Sequence, residues 1–318
     1  MMTRLIPGGV FRRAPATRSP AAIPPARSLV IVRKRHTTET VPFDPDHPTA
    51  RHYQAALETI NRVNAGHEVT GRVGGRGRVR LSTELRAVFT NNFDLHGRLY
   101  SAGWNGFQEL TEQERQSIQV DGEETIELDF VGFHVRLLYD LDNLPCPRDP
   151  YTIAPRGLGR AGASPPPAGR RAMVKVLVNA LLNAPTARSA LCACNRALSP
   201  RTASGLWKSG REREKAKRLR QAVAEAGVSF KELLPEVVRT HAPIAHYFGC
   251  DCGLALMNLD GRICLDVVGA FTRRGQCCLP VHDSFRVVAR LEDRLLRVMR
   301  HAYHKWVGAW PVIRAAGA

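Results

Sequence analysis

The clearest periodicity lies at Thr125–Tyr139. Ile126, Leu128 and Phe130 alternate with Glu127 and Asp129, the pattern of a strand with one buried face, and after Gly132 the spacing becomes helical through Leu137, Leu138 and Tyr139. Asp129 is therefore expected near the end of a strand, on the face away from the core. A second strand signal spans Cys277 to Ala289 and reads as two strands with His282 and Asp283 at the bend between them. Helical spacing predicts a helix from Thr49 to about Gly66 (Tyr53, Ala56, Leu57, Ile60, Val63), and others over Arg170–Ala184, Leu254–Ala270 and Leu291–Val307. Thr111 with Glu114 three residues on forms a capping box for a further helix, and Asp121-Gly122 is a turn feeding the Asp129 strand. Ser199–Phe248 reads as charged helix, with Glu214 and Arg218 at pairing distance, and with Pro235 and Pro243 as points of interruption.

Composition changes this picture at its edges. Met1 to Thr38 contains no acidic residue, carries eight Arg or Lys, and is broken by repeated prolines. Residues 1–50 are thus expected to be a basic arm outside the fold, serving either as an organelle-targeting segment or as a flexible extension. From Arg156 to Gly169 the chain is rich in Gly, Ala, Pro and Arg, the composition of a linker or a mobile lid. The net charge is +17 and 44% of residues are hydrophobic, which together predict a globular body with a polyanionic partner, nucleic acid first. No apolar run is long enough to cross a membrane, and no transmembrane helix is expected. A cytoplasmic monomer is expected, with organelle targeting through the basic N-terminus as the alternative. None of the eight cysteines shows zinc-knuckle spacing, and reduced, mostly buried thiols are expected.

Two features carry candidate chemistry. Asp129 and Asp283 each sit at a strand end, where an aspartate often only forms a turn. Brought together, two carboxylates could instead hold a pair of divalent metals for phosphoryl transfer. On the Arg170–Ala184 helix, apolar nearly all round, Arg171, Lys175, Asn179 and Asn183 recur every four residues as one polar stripe. If that helix is buried, the stripe needs polar partners, supplied either by the protein or by a bound nucleotide. Gly71–Arg80 is rich in glycine and arginine and could follow a phosphate backbone or form a solvated hairpin.

These stretches have a resemblance. Asp129-Phe130-Val131-Gly132-Phe133-His134-Val135-Arg136 resembles the first palm motif of A-family DNA polymerases. Val281-His282-Asp283-Ser284-Phe285 resembles the second, with an ending closer to bacteriophage-type single-subunit RNA polymerases. Asp94-Leu95-His96-Gly97-Arg98-Leu99-Tyr100 resembles the template-contacting motif that precedes the palm, and Arg171 with Lys175 resembles the fingers helix. All four occur in the superfamily's order. The resemblance implies an α+β fold: a right-hand polymerase palm of antiparallel sheet and helices, with a small helical fingers insert. The implied division is 1–50 arm, 51–120 template-contact region, 121–155 first part of the palm, 156–250 linker and fingers-like insert, and 251–318 second part of the palm with a C-terminal helix.

The same resemblance implies template-directed nucleotidyl transfer. Asp129 and Asp283 would hold two Mg2+, and Lys175 would be catalytic on the triphosphate. Arg171, Lys175, Asn179, Asn183 and His134 would line the nucleotide, and Asp94, Gly97, Arg98, His282 and Arg136 the nucleic acid, with Asp94 orienting Arg98. The partners would be a DNA or RNA template–primer and nucleoside triphosphates. The usual sugar-discriminating residues are replaced: His134 stands where DNA polymerases carry Glu, Asn179 where they carry an aromatic, and Asn183-Ala184 where Tyr-Gly is expected. The choice of ribo- or deoxyribonucleotide stays open, as does a primase-like or RNA polymerase activity. A non-catalytic nucleic-acid-binding remnant of a mobile element is the alternative of another class.

Overall fold

A computed structural model describes residues 28–75, 77–153, 169–202, 204–207 and 209–316. Most of the arm expected at 1–50 and nearly all of the linker expected at 156–169 lie outside these. The described residues form two compact units, one of 28–133 with 254–316 and one of 134–253. The fold is mixed α+β with largely antiparallel sheets.

The first unit holds both sheets. The smaller is β1 (Val30–Arg33), β4 (Leu85–Thr90) and β5 (Asn92–Ser101), with β1 parallel to β4 and β5 antiparallel to it. β1 corrects the expectation that 1–50 lies outside the fold. Leu29, Val30 and Val32 are buried, so a short apolar run inside a basic segment is enough to add a strand.

The larger sheet runs in the order β3 (Arg78–Arg80), β2 (Val69–Arg72), β6 (Gln119–Val120), β7 (Glu123–Phe130), β9 (Ser284–Val288), β8 (Leu279–Val281). One edge of β7 is shared: β6 takes Glu123 and Glu124, and β10 (Ile313–Ala315) takes Leu128 to Phe130. Helices α1 (Pro48–Ala65), α2 (Glu112–Arg115), most of α8 (Gly253–Thr272), and α9 (Glu292–Val307) complete the unit. α2 has the capping box expected at Thr111 and Glu114 but ends after one turn. The core under β7 is aromatic. Phe130 stacks on Phe133 at 4.7 Å and meets Phe285 and Tyr303 of α9 at 6.2 and 5.7 Å, which fixes the end of the strand where Asp129 sits.

The second unit is helical: α3 (Phe133–Leu141, from His134 onward), α4 (Arg170–Asn183), α5 (Ala187–Leu198), α6 (Gly210–Ala226), α7 (Phe230–Thr240) and a 3-10 segment at Ala242–Tyr247. Met173, Val174, Leu177, Val178, Leu181 and Leu182 of α4 are buried where it meets α5, α6 and α7. Capping boxes at Thr186/Ser189, Ser209/Glu212 and Ser229/Glu232 start three of these helices, and Pro235 lies inside α7. His241 is fully buried between the Tyr139 hydroxyl, 3.0 Å from Nδ1, and the Pro150 carbonyl, 2.8 Å from Nε2, so it stays neutral with both nitrogens satisfied.

Candidate active site

β7 and β9 pair antiparallel with Asp129 opposite Ser284, and the Phe130 amide donates to the Asp283 carbonyl at 3.2 Å. Asp129 and Asp283 therefore lie at the same end of adjacent strands, one residue out of direct opposition. β8 and β9 are joined by the two-residue bend His282-Asp283, across which the Ser284 hydroxyl oxygen lies 3.0 Å from the Val281 carbonyl. His282 alone of the two bend residues takes a left-handed φ, +59°. This is the hairpin foreseen in sequence, and it carries Asp283 at its tip.

Behind the two aspartates lies an ionic cluster. Glu127, two residues before Asp129, is only 5% exposed. Its carboxylate accepts from the Ser284 hydroxyl (2.6 Å), Arg286 (2.8 Å) and Arg115 (3.1 and 3.3 Å). Arg286 also donates to the Thr125 hydroxyl and carbonyl. The expectation that β7 buries only one face is corrected at Glu127, which is buried on the polar face. Burial alone would raise the Glu127 pKa, but hydrogen bonds from Ser284, Arg115 and Arg286 override it and hold the carboxyl below its ordinary value.

Arg98 is the cation of the site. It forms an ion pair with Asp260 of α8, a carboxylate only 2% exposed. Burial works against its charge, but Asp260, with Asp283 and Tyr100 adding, more than offsets this, so its pKa is raised. Sequence reasoning gave the orienting role to Asp94. Asp94 is instead exposed, its main-chain amide donating to Asn92 Oδ1.

Gly97 is corrected too. It is buried at an irregularity of β5, with φ +80°, and not in a turn open to nucleic acid. The backbone it lets in is the protein's own: a methyl group on Gly261 of α8 would run into the Gly97 carbonyl. Two glycines thus bring α8 against β5 and set Asp260 beside Arg98. Gly261→Ala is expected to cost about 1–3 kcal/mol by overpacking. Gly269→Ala in the same helix, where a methyl meets only the Arg273 guanidinium at 3.5 Å, is expected to be neutral or slightly stabilising. Urea denaturation of the two variants checks the contrast.

Around the bend, Tyr100 meets the His282 ring edge-on at 6.3 Å, and the Tyr100 hydroxyl lies 2.9 Å from His96 Nε2. Desolvation, helped by the Arg98 charge, lowers the His282 pKa and takes that of His96 down to about 4, so both are neutral near pH 7. On the other edge of β7, Arg314 of β10 lies directly opposite Asp129. Arg98 feels the Asp283 charge, and Arg314 stands beside Asp129 in strand register.

Among the described residues no cluster of three or more Asp, Glu, His or Cys is arranged to hold a metal. Aspartates at adjoining strand ends are nonetheless the donor type for Mg2+, which commonly takes one or two protein carboxylates and completes its shell with water and substrate phosphates.

The nucleotide-side candidates belong to the helical unit. Arg171, Lys175, Asn179 and Asn183 form one stripe on α4, as their spacing predicts, but the stripe is exposed. These four side chains are therefore not buried polar groups that demand a ligand. Arg171 pairs with Asp149 at 2.6 Å, and Arg171 and Lys175 lie 5.6 and 5.9 Å from the Tyr151 ring centroid. Asn183 donates to the Asn179 carbonyl at 2.8 Å. His134 is half-buried at the start of α3. Arg136 was expected on nucleic acid but donates to the Pro147 and Arg148 carbonyls, tying down the loop after α3.

No protein-family model matches the chain, and no curated protein sequence matches it. Among solved structures it is similar to the POL domain of Pol1 from M. smegmatis in complex with DNA primer–template and dNTP. The identity is 12% and the TM-score 0.39, covering 90% of this chain and 57% of that one. The chain spans a little over half the length of that match. At such values the chemistry has to be argued from this chain's own residues.

Asp260, Glu127, Arg286 and Arg314 were not assigned to the site from sequence. A carboxylate inside the apolar run of α8 was the available signal for Asp260, and a glutamate on the strand bearing Asp129 was the signal for Glu127. Nothing local marked Arg314.

Proposed function

We propose that the protein is a template-directed nucleotidyltransferase. The observation that carries this reading is the placement of Asp129 and Asp283 at one end of the paired strands β7 and β9. The sequence around each resembles a polymerase palm motif. In this reading the larger sheet is the palm and the helices of 134–253 are the fingers. Asp129 and Asp283 would hold two Mg2+, which when bound would supply an activated 3′-hydroxyl and charge stabilisation for the leaving pyrophosphate. Arg171 and Lys175 would neutralise the triphosphate, and Asn179, Asn183 and His134 would meet sugar or base. Arg98, held rigid by Asp260, would grip the template–primer beside Asp283. His282, neutral near pH 7, shapes the bend that presents Asp283.

A non-catalytic nucleic-acid-binding module is the second reading, favoured by the replacements at His134, Asn179 and Asn183-Ala184. Extension of a labelled primer on a DNA or RNA template, with deoxy- or ribonucleoside triphosphates and with or without Mg2+, separates the two. Mg2+-dependent extension is expected, and the preferred sugar names the enzyme. Tight binding with no extension under any combination overturns the catalytic reading.

A further inference from the structure

The last helix carries chemistry that the acidic pair does not use. Leu295, Met299, Ala302 and Tyr303 bury one face of α9. The other shows Arg297, Arg300, His301 and His304, all exposed and at positions i, i+3, i+4 and i+7, so they form one cationic and aromatic stripe. The acidic residues of α9, Glu292 and Asp293, are confined to its first turn. The helix stops at Gly308 in a left-handed cap, φ +80°, and the chain brings Trp310 back against this stripe. The indole lies flat on the His304 ring, with centroids 4.2 Å apart and planes 4° from parallel. His301 meets it edge-on at 5.9 Å, and the Arg300 guanidinium lies 5.7 Å from its centroid.

An exposed tryptophan alone says little. Trp310 is 53% exposed, yet its ring is braced by His304 and bordered by the Arg300 guanidinium, which is the construction of a stacking platform beside a phosphate-binding group. A lipid surface would want apolar neighbours, and among the described residues the exposed large apolar side chain close in sequence is Val312 alone. An acidic peptide would satisfy the charge but has no use for a flat, held indole. Four residues past Trp310 the chain reaches Arg314, opposite Asp129.

From this we infer that α9 and Trp310 form a binding track for single-stranded nucleic acid. A base stacks on the indole, and the flanking phosphates lie on Arg297 and Arg300. The track does not depend on the proposed catalysis and would serve a binding module equally well.

The test is anisotropy of a fluorescein-labelled 15-mer oligo-dT titrated with the full chain, without Mg2+ or nucleotides, over a range of salt. Trp310→Ala is expected to weaken oligo-dT about tenfold or more. Trp310→Phe, which keeps a stacking face, is expected to stay close to wild type, and a duplex of the same length to change less than twofold in either variant. Arg297→Gln with Arg300→Gln is expected to reduce the slope of log K against log salt by about 1.4, roughly 0.7 for each lost phosphate contact. Trp310→Ala binding oligo-dT within twofold of wild type, with an unchanged thermal midpoint, overturns the inference. So does equal loss of single strand and duplex, and so does a poly-glutamate peptide that competes as well as oligo-dT at equal charge.

Discussion

Asp283→Asn is expected to lower Mg2+-dependent primer extension on the order of a thousandfold or more while leaving nucleic-acid binding intact. Asparagine is the sharper substitution because it keeps the turn preference of the bend and removes only the charge. The Ser284 hydroxyl bond to Glu127 and the Phe130 amide bond to the Asp283 carbonyl do not involve the Asp283 side chain, so the hairpin should persist. Asp129→Asn is expected to behave alike. The double variant should be little worse than either single one, because residues acting as a unit are not additive. Binding should be unchanged or slightly tighter, since each change removes a negative charge facing a polyanion. The readouts are extension rate and anisotropy on the same preparations. Extension within tenfold of wild type in both single variants would remove the acidic pair from the chemistry. Parallel loss of binding and extension would make these aspartates structural.

The parts of this arrangement that could be read in the sequence are those set by local period. Alternation through Ile126, Leu128 and Phe130 located β7, the apolar flanks of His282-Asp283 located the hairpin, and the four-residue spacing on α4 located its polar stripe. Readings failed where a residue's meaning depends on a distant partner. Glu127 looked like the solvent side of a strand, because Arg286, which helps bury it, lies 159 positions away. Gly97 does permit a close approach, but sequence could not say that the approaching backbone is Gly261 and not a ligand. Asp94, close in sequence to Arg98, was the natural choice of partner, whereas Asp260 comes from 162 residues away. On α4 the period was right and the burial wrong, since composition alone does not show which face neighbours leave open. β1 was hidden inside a segment whose average composition is that of an arm, although the run at Leu29–Val32 decides it.

Glu127→Gln is expected to destabilise the first unit by about 3–5 kcal/mol, because it leaves buried guanidinium charge uncompensated. Arg286 is 4% exposed, and Arg115 is also largely covered. The amide oxygen of glutamine can still accept one bond, but it cannot neutralise two cations. The pH dependence separates this cause from simple repacking. With its folded-state pKa below the ordinary glutamate value, Glu127 contributes stability that is fully present above the unfolded-chain pKa, about 4.3, and lost as pH falls through the lower folded value. The gap between wild type and Glu127→Gln should therefore be constant from neutral pH to about 5 and narrow below about 4.3. Urea midpoints measured from pH 7 to pH 3 report it. A gap below about 1 kcal/mol at neutral pH, or one that does not narrow in acid, would mean that the cluster is not held by the Glu127 charge. Glu127 binds the hydroxyl of Ser284, which follows Asp283, and stands two residues before Asp129. The same substitution should accordingly loosen the strand ends that carry both aspartates, and lower extension at temperatures where the variant is still folded.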